Sequence, residues 1–306
     1  MIVEGLIPDK GVLLTLGAPG AGKTWFALEC ALALALERKA FGKFQAQKRR
    51  TLFIGEDSPD WDLGCMMRAL ERGYGLKEER LELHENVFFS VHKGAQFSTP
   101  EGMLEIIDTV EKLFIDWEHE EPELDSGLIV LDSLRRLHRN NENSSDEMAV
   151  VMRRIGELAK YGCVMPLHHI GKSGQNEVEA WERVRGSGEI MAGCDAAISI
   201  KALGYGRRSV RMIRSRAVKP VDFDFLMDDT NEGMQLLAVE EKDQIQELVK
   251  AMESETFSRA ELQMVIAAHW PKLSREGVIS KTTRWLDRAI PTKMVWKEKH
   301  GVYRRT

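Results

Sequence analysis

The sequence predicts an α/β fold built on a mostly parallel sheet, followed by a small helical module that ends in a basic hairpin. Three observations lead there. Up to about residue 200, short runs that are apolar throughout alternate with helical stretches, the pattern of strands covered on both faces. A glycine-rich turn joins the first such run to a helix. Beyond residue 240 the strand signal gives way to three helical segments.

Taken in order, GVLLTLG (11–17) predicts a strand and TWFALECALALALERK (24–39) a helix with apolar repeats. TLFIG (51–55) predicts the second strand, then a helix over 60–72 and the apolar run VFFSV (87–91). A helix over 100–117 precedes GLIVLD (127–132), and a helix near 146–161 precedes CVMPLHH (163–169). AAISI (196–200) completes the buried runs, with right-handed crossovers expected between parallel strands. SVRMIRSRAV (209–218) and VDFDFLMD (221–228), joined by Lys219–Pro220, predict an antiparallel edge. A linker over 229–241 leads to helices near 241–252, 258–268 and 274–289. KHG then turns between VWK and VYR. Three helices and a hairpin outline a winged-helix module, so the expected domains are 1–235 and 236–306.

Composition narrows the classes. Hydrophobic residues make up 43% and charged residues 30% of 306 residues, enough for a large domain and a small one. No run of 18 apolar residues exists, which predicts no membrane span. MIVEGLIPDKG lacks the basic leader and apolar core of a signal peptide. Cys30, Cys65, Cys163 and Cys194 are scattered without a C-x-x-C pair, which predicts reduced thiols in a cytoplasmic protein. Net charge is −5, yet residues 281–306 carry eight cations against two carboxylates. An acidic protein with a basic tail can still hold an anion there.

GAPGAGKT (17–24) fits G-x-x-x-x-G-K-[ST] and lies between a strand and a helix, the context the motif requires. Gly17, Gly20 and Gly22 let backbone N–H groups curl around a phosphate, with Ala18, Pro19 and Ala21 between them. The helix behind them turns its positive end to the same anion. Lys23 is predicted to reach the β- and γ-phosphates of ATP, Thr24 to ligate Mg²⁺, and Trp25 to complete the nucleotide contact. LIVLDS (128–133) places Asp132 at the carboxyl end of a buried strand, opposite Thr24, where it would hold the same Mg²⁺. Ser133 follows where many such ATPases carry a glutamate, so the base must come from elsewhere. TLFIGED (51–57) supplies one: Glu56 emerges at a strand end that lines the ligand crevice. Asp57 reads as a helix N-cap or a supporting group.

A P-loop, a carboxylate ending the second strand and an Asp followed by Ser resemble the RecA-like arrangement. GEDSP (55–59), LDSLRRLH (131–138) and LHHIGKSG (167–174) resemble hexameric replicative helicases of the plasmid RepA type, with DnaB- and KaiC-like proteins as more distant relatives. The resemblance covers about residues 1–230. It implies that His168 senses the γ-phosphate, with His169 as the alternative, and that Arg216 is an arginine finger with Arg214 as its partner, both reaching a neighbouring subunit's ATP. It implies that two loops face a central channel, where Arg135, Arg136, Arg139, Lys172, Arg183 and Arg185 contact single-stranded DNA by charge. In SKTTRWLDRAI (280–290), Lys281, Arg284 and Arg288 share one helix face, suited to duplex DNA with KEKHG as the wing. The implied function is that of a ring-forming homo-oligomer, a hexamer in the family it resembles, that hydrolyses ATP as a DNA helicase or translocase in plasmid or phage replication. Two alternatives stay open: a filament-forming repair or recombination ATPase, and a KaiC-like regulator whose winged helix binds duplex DNA or a protein.

Overall fold

The computed structural model describes residues 1–57, 60–91, 93–116, 123–124, 126–170, 188–204, 206–216, 220–230, 233–239, 256–269, 275, 278–279, 282–283, 286, 295–299 and 302–305. The chain divides into two compact units, Met1–Ala238 and Val239–Thr306.

The first unit is organised on a nine-stranded sheet. Its strands are β1 (Gly11–Gly17), β4 (Thr51–Gly55), β5 (Val87–Val91), β8 (Gly127–Asp132), β9 (Gly162–His169), β10 (Ala196–Gly204), β11 (Arg207–Ser215), β12 (Asp222–Thr230) and β13 (Gly233–Val239). Two short hairpins lie outside it, β2 (Lys39–Ala40) with β3 (Phe44–Gln45), and β6 (Ile115–Asp116) with β7 (Glu123–Leu124). Across the sheet the order is β13-β12-β11-β10-β1-β9-β8-β4-β5. The run from β10 to β5 is parallel, whereas β11 is antiparallel to both β10 and β12. This is the predicted α/β architecture with its antiparallel edge. β13 was not foreseen: GMQLLAV falls in the expected linker, and its edge position asks for little of the continuous apolar character that marked the central strands.

Helices cover both faces. α1 (Lys23–Ala35) is buried almost all round, as its unbroken Ala/Leu/Phe sequence requires. It shares a core with Leu13, Phe53, Leu128, Val130, Cys163, Met165 and Leu167. Phe26 of α1 also meets Phe41, which packs 5.0 Å from Phe225 of β12. Each such pair adds about 0.5–1.5 kcal/mol beyond its buried area, and together they bring the antiparallel edge against α1. α2 (Asp60–Gly73) and α3 (Arg80–Asn86) follow β4. α4 (Pro100–Phe114) starts with Thr99 accepting from Gly102 N and Pro100 in its first turn, and it ends at Phe114, short of the predicted 117. α5 (Ser145–Leu158) is capped by Ser144. Both pack on the opposite face with Val12, Leu14, Leu16, Leu52, Ile54, Ile129, Leu131 and Val164. A five-residue helix, α6 (Gly188–Ala192), leads into β10.

In the second unit, β14 (Thr256–Ser258) pairs with β16 (Val302–Arg305), which pairs with β15 (Val295–Lys299); α7 (Arg259–His269) follows β14. The two expected helices flanking α7 fall largely outside the described residues, as do Lys281, Arg284 and Arg288. No described helix is long and apolar enough to cross a membrane.

Candidate nucleotide site

Register gathers the strand ends. Gly17 lies beside His169, Gly55 beside Asp132, and Asp132 beside Leu167, so the carboxyl ends of β1, β4, β8 and β9 form one edge. Ligands of open α/β sheets bind at such an edge. The loop Ala18–Pro19–Gly20 is exposed above it, while Ala21 is buried beneath. Gly20 and Gly22 adopt φ of 73° and 96°, conformations that only glycine takes without strain, and Gly22 begins α1.

Lys23 is buried, and its Nζ donates to Gly17 O at 3.0 Å and Ala18 O at 3.3 Å. It also donates to His169 Nδ1 at 3.3 Å, which puts the ring proton on Nε2, 3.8 Å from Asp57 Oδ2. Burial lowers the Lys23 pKa, opposed by the charges of Asp132 and Asp57. Thr24 Oγ1 donates to Asp132 Oδ2 at 2.9 Å. Burial raises the Asp132 pKa, while the Thr24 bond and the Lys23 charge lower it. A hydroxyl and a carboxylate this close are the hard oxygen donors that Mg²⁺ takes alongside phosphate and water, so the residues present fit that ion. No cluster of three or more His, Cys, Asp or Glu able to hold a metal by itself occurs among the described residues. Trp25 is half-buried against the α1 core.

The two adjacent histidines point to opposite faces. His169 is the one at the P-loop lysine; His168, the residue the resemblance favoured, is buried on the α5 face, its Nδ1 3.9 Å from Glu142 Oε1. His138 and Arg135 complete that second cluster at 3.9 Å and 3.8 Å from the Glu142 carboxylate. The physical reason is strand alternation: Cys163, Met165 and Leu167 face α1, so His169 does too. Counting that alternation from the apolar residues of CVMPLHH places His169, and not His168, on the Lys23 face.

The same alternation separates the two acids. Glu56 continues the ladder through its N–H to Asp132 O, and its Oε1 accepts from Gly94 N at 2.9 Å and Ala95 N at 3.1 Å. Asp57 stands nearer the P-loop: it accepts from Arg136 Nε at 3.2 Å and faces His169. Asp57 therefore belongs to the charge network of Lys23 and Asp132, a role beyond the capping expected of it.

The remaining basic residues divide. Arg135 is drawn to Glu142 and His138 O, Arg136 to Asp57, and Arg139 is exposed with its backbone N–H on Ser98 Oγ. Lys172, Arg183 and Arg185 lie outside the described residues. Arg214 donates to Met191 O at 2.6 Å, and Arg216 pairs with Asp195 at 3.3 Å. Because Ala197 pairs with Arg214 while Gly17 pairs with Ile200, both arginines sit toward the end of the sheet away from their own P-loop.

A sequence profile described as an AAA domain, AAA_25, matches residues 1–175, more than half of the chain. The chain belongs to the AAA_25 family. No curated protein matches it in sequence. Among solved structures, this AAA_25 chain is similar to one described as an ATPase domain, with a TM-score of 0.54 at 12% identity over 76% of this chain and 85% of that one. It is also similar to a DnaB-like replicative helicase described with its primase interactions: TM-score 0.57, 12% identity, 76% of this chain but only 60% of that one. At such identities the likeness shows the fold alone, a RecA-like ATPase-domain fold, and the AAA_25 membership supports an ATPase.

Proposed function

We propose that this protein is a Mg²⁺-dependent ATPase that assembles as a ring, a hexamer by analogy with the resemblance, and moves along or unwinds DNA during plasmid or phage replication. The observation that carries the reading is the meeting of Lys23, the Thr24–Asp132 pair and His169 at one strand edge, with the arginine-bearing loop 135–145 leaving directly from it. Lys23 and the loop amides bind the phosphate chain and neutralise charge as it moves to the leaving group. Thr24 and Asp132 hold Mg²⁺, which supplies further charge neutralisation on the phosphates. Glu56 is the base: two backbone N–H groups fix Oε1, leaving Oε2 to take a proton from the attacking water. His169 reads the γ-phosphate through Lys23, and its Nε2 side passes that reading to Asp57 and thence to Arg136. Arg136 and Arg139, with Lys172, Arg183 and Arg185, contact a single DNA strand by charge. Arg216, with Arg214, serves a neighbour's nucleotide, and Lys281, Arg284 and Arg288 engage duplex DNA from a winged-helix unit.

The test is steady-state ATP hydrolysis with and without single-stranded DNA, on the natural chain and on Lys23→Ala. Stimulation by single strands that the variant loses supports a motor. Hydrolysis indifferent to single strands sinks it and turns attention to a regulatory ATPase with a duplex or protein partner.

A further inference from the structure

The β11 strand carries Arg207, Arg208, Arg211 and Arg214, and Arg216 follows it directly. All but one of these are neutralised or tied down. Arg207 Nε donates to Asp224 Oδ2 at 2.9 Å. Arg211 lies 3.7 Å from Asp222 and 3.5 Å from Asp224. Arg214 is bonded to Met191 O and Arg216 to Asp195. Arg208 differs. Its Nη1 donates to the carbonyl of Arg207 at 3.1 Å, but its Nε is buried and has no hydrogen-bond partner among the described residues. No described carboxylate pairs with it, and burial alone pushes its pKa down.

Its place in the fold matters as much. β11 runs antiparallel to β10, and Arg208 pairs with Ala202, beyond the Ile200 that pairs with Gly17. The register therefore brings Arg208 to the P-loop end of the sheet, opposite in direction from Arg214 and Arg216. A methyl group on Gly22 would lie 3.3 Å from Arg208 Nε and 3.6 Å from Met227 Sδ. Gly22 is the last glycine of the phosphate-binding loop and the N-cap of α1. A guanidinium with an unused buried donor, next to a loop built for phosphate, is a charge held ready for an anion: its Nε loses hydration on folding and gains no hydrogen-bond partner among the described residues.

We propose that Arg208 is a nucleotide-binding residue, a second cation that contacts bound ATP within the same chain, supplied by the antiparallel edge and not by the P-loop motif. The inference rests on the nucleotide site described above and adds a wall to it. Lys23 serves the loop carbonyls and His169; Arg208 approaches from beyond Gly22, with the Met227 thioether beside it.

The experiment compares ATP binding and hydrolysis by the natural chain, Arg208→Ala and Arg208→Met, with Lys23→Ala as reference. Loss of one charge-assisted contact raises both the Kd and the KM for ATP about tenfold, with a smaller change in kcat. A packing role for Arg208 would instead lower the melting temperature of the nucleotide-free protein; a nucleotide role leaves it at or above that of the natural chain, and most clearly in Arg208→Met, which keeps the apolar stem. Tripolyphosphate competition then locates the contact. Equal weakening of tripolyphosphate and ATP assigns it to the phosphate chain, and weakening of ATP alone assigns it to the nucleoside, on whose base a guanidinium can stack. Undiminished ATP affinity in both Arg208 variants, while Lys23→Ala loses it, overturns the inference and leaves the site intact. Undiminished affinity in Lys23→Ala as well overturns the nucleotide site itself.

Discussion

Two clusters of the same residue types lie back to back across the end of β9. On the α1 face Lys23, Asp132, Asp57 and His169 meet; on the α5 face Arg135, Glu142, His138 and His168 meet. Each contains a cation, carboxylate and histidine. They differ in access. His169 is partly exposed beneath an open glycine loop, whereas His138 and His168 are sealed, and burial drives the His138 pKa down to about 4. The comparison teaches that composition does not make a site: the histidine that can meet a phosphate is the one whose strand face opens on the loop.

The largest effect expected concerns what the α1 face lacks. Arg216 follows the end of β11 away from its own P-loop, so as an arginine finger it must serve a neighbour. Arg216→Ala should lower kcat by about 10³-fold, and mixing it with Lys23→Ala should restore part of the rate by pairing intact halves across a subunit boundary. Steady-state rates of the mixture check this; no recovery at any ratio breaks the shared-site reading.

Next comes the direct contrast of the two histidines. His169→Ala should reduce kcat by about 10²-fold with little loss of stability. His168→Ala should do the reverse, costing about 1–3 kcal/mol in denaturant melts by disturbing the buried Glu142 cluster while sparing hydrolysis. Equal effects on rate would erase the distinction between the faces.

Another carboxylate shows burial acting without catalysis. Glu29 of α1 is buried, accepts from Phe41 N at 2.9 Å, and has its pKa raised to about 7, chiefly by desolvation. A raised folded-state pKa means its contribution is fully present below about pH 4.5 and is lost as pH climbs through about 7. Glu29→Gln should flatten that fall, seen as a smaller decline in melting temperature from about pH 5 to about pH 8.

The smallest effect sharpens the α1 face itself. The pKa of His169 is lowered first by burial and then by the Lys23 charge, and Asp57 opposes both. Asp57→Asn should move it lower still, and NMR titration of the ring protons would register the change. An upward shift would show that Asp57 does not face His169.

Much of the site could be read from residues alone. GAPGAGKT specifies its own conformation because glycine at 20 and 22 is a local steric requirement, and the apolar runs ending at Gly17, Gly55 and Asp132 announce where strands stop. Hence the sheet, the loop and the Thr24–Asp132 pair followed from the sequence. Which of Glu56 and Asp57, or of His168 and His169, turns toward the loop depended on where each ladder continues and which core each face covers. Arg208 carried no local signal at all. Its closeness to Gly22 arises from an antiparallel register and from phenylalanines that draw β12 onto α1, both set by residues far along the chain from the loop they complete. Local sterics and apolar patterning are written along the chain, whereas the partner of a charge is decided only when distant strands pair.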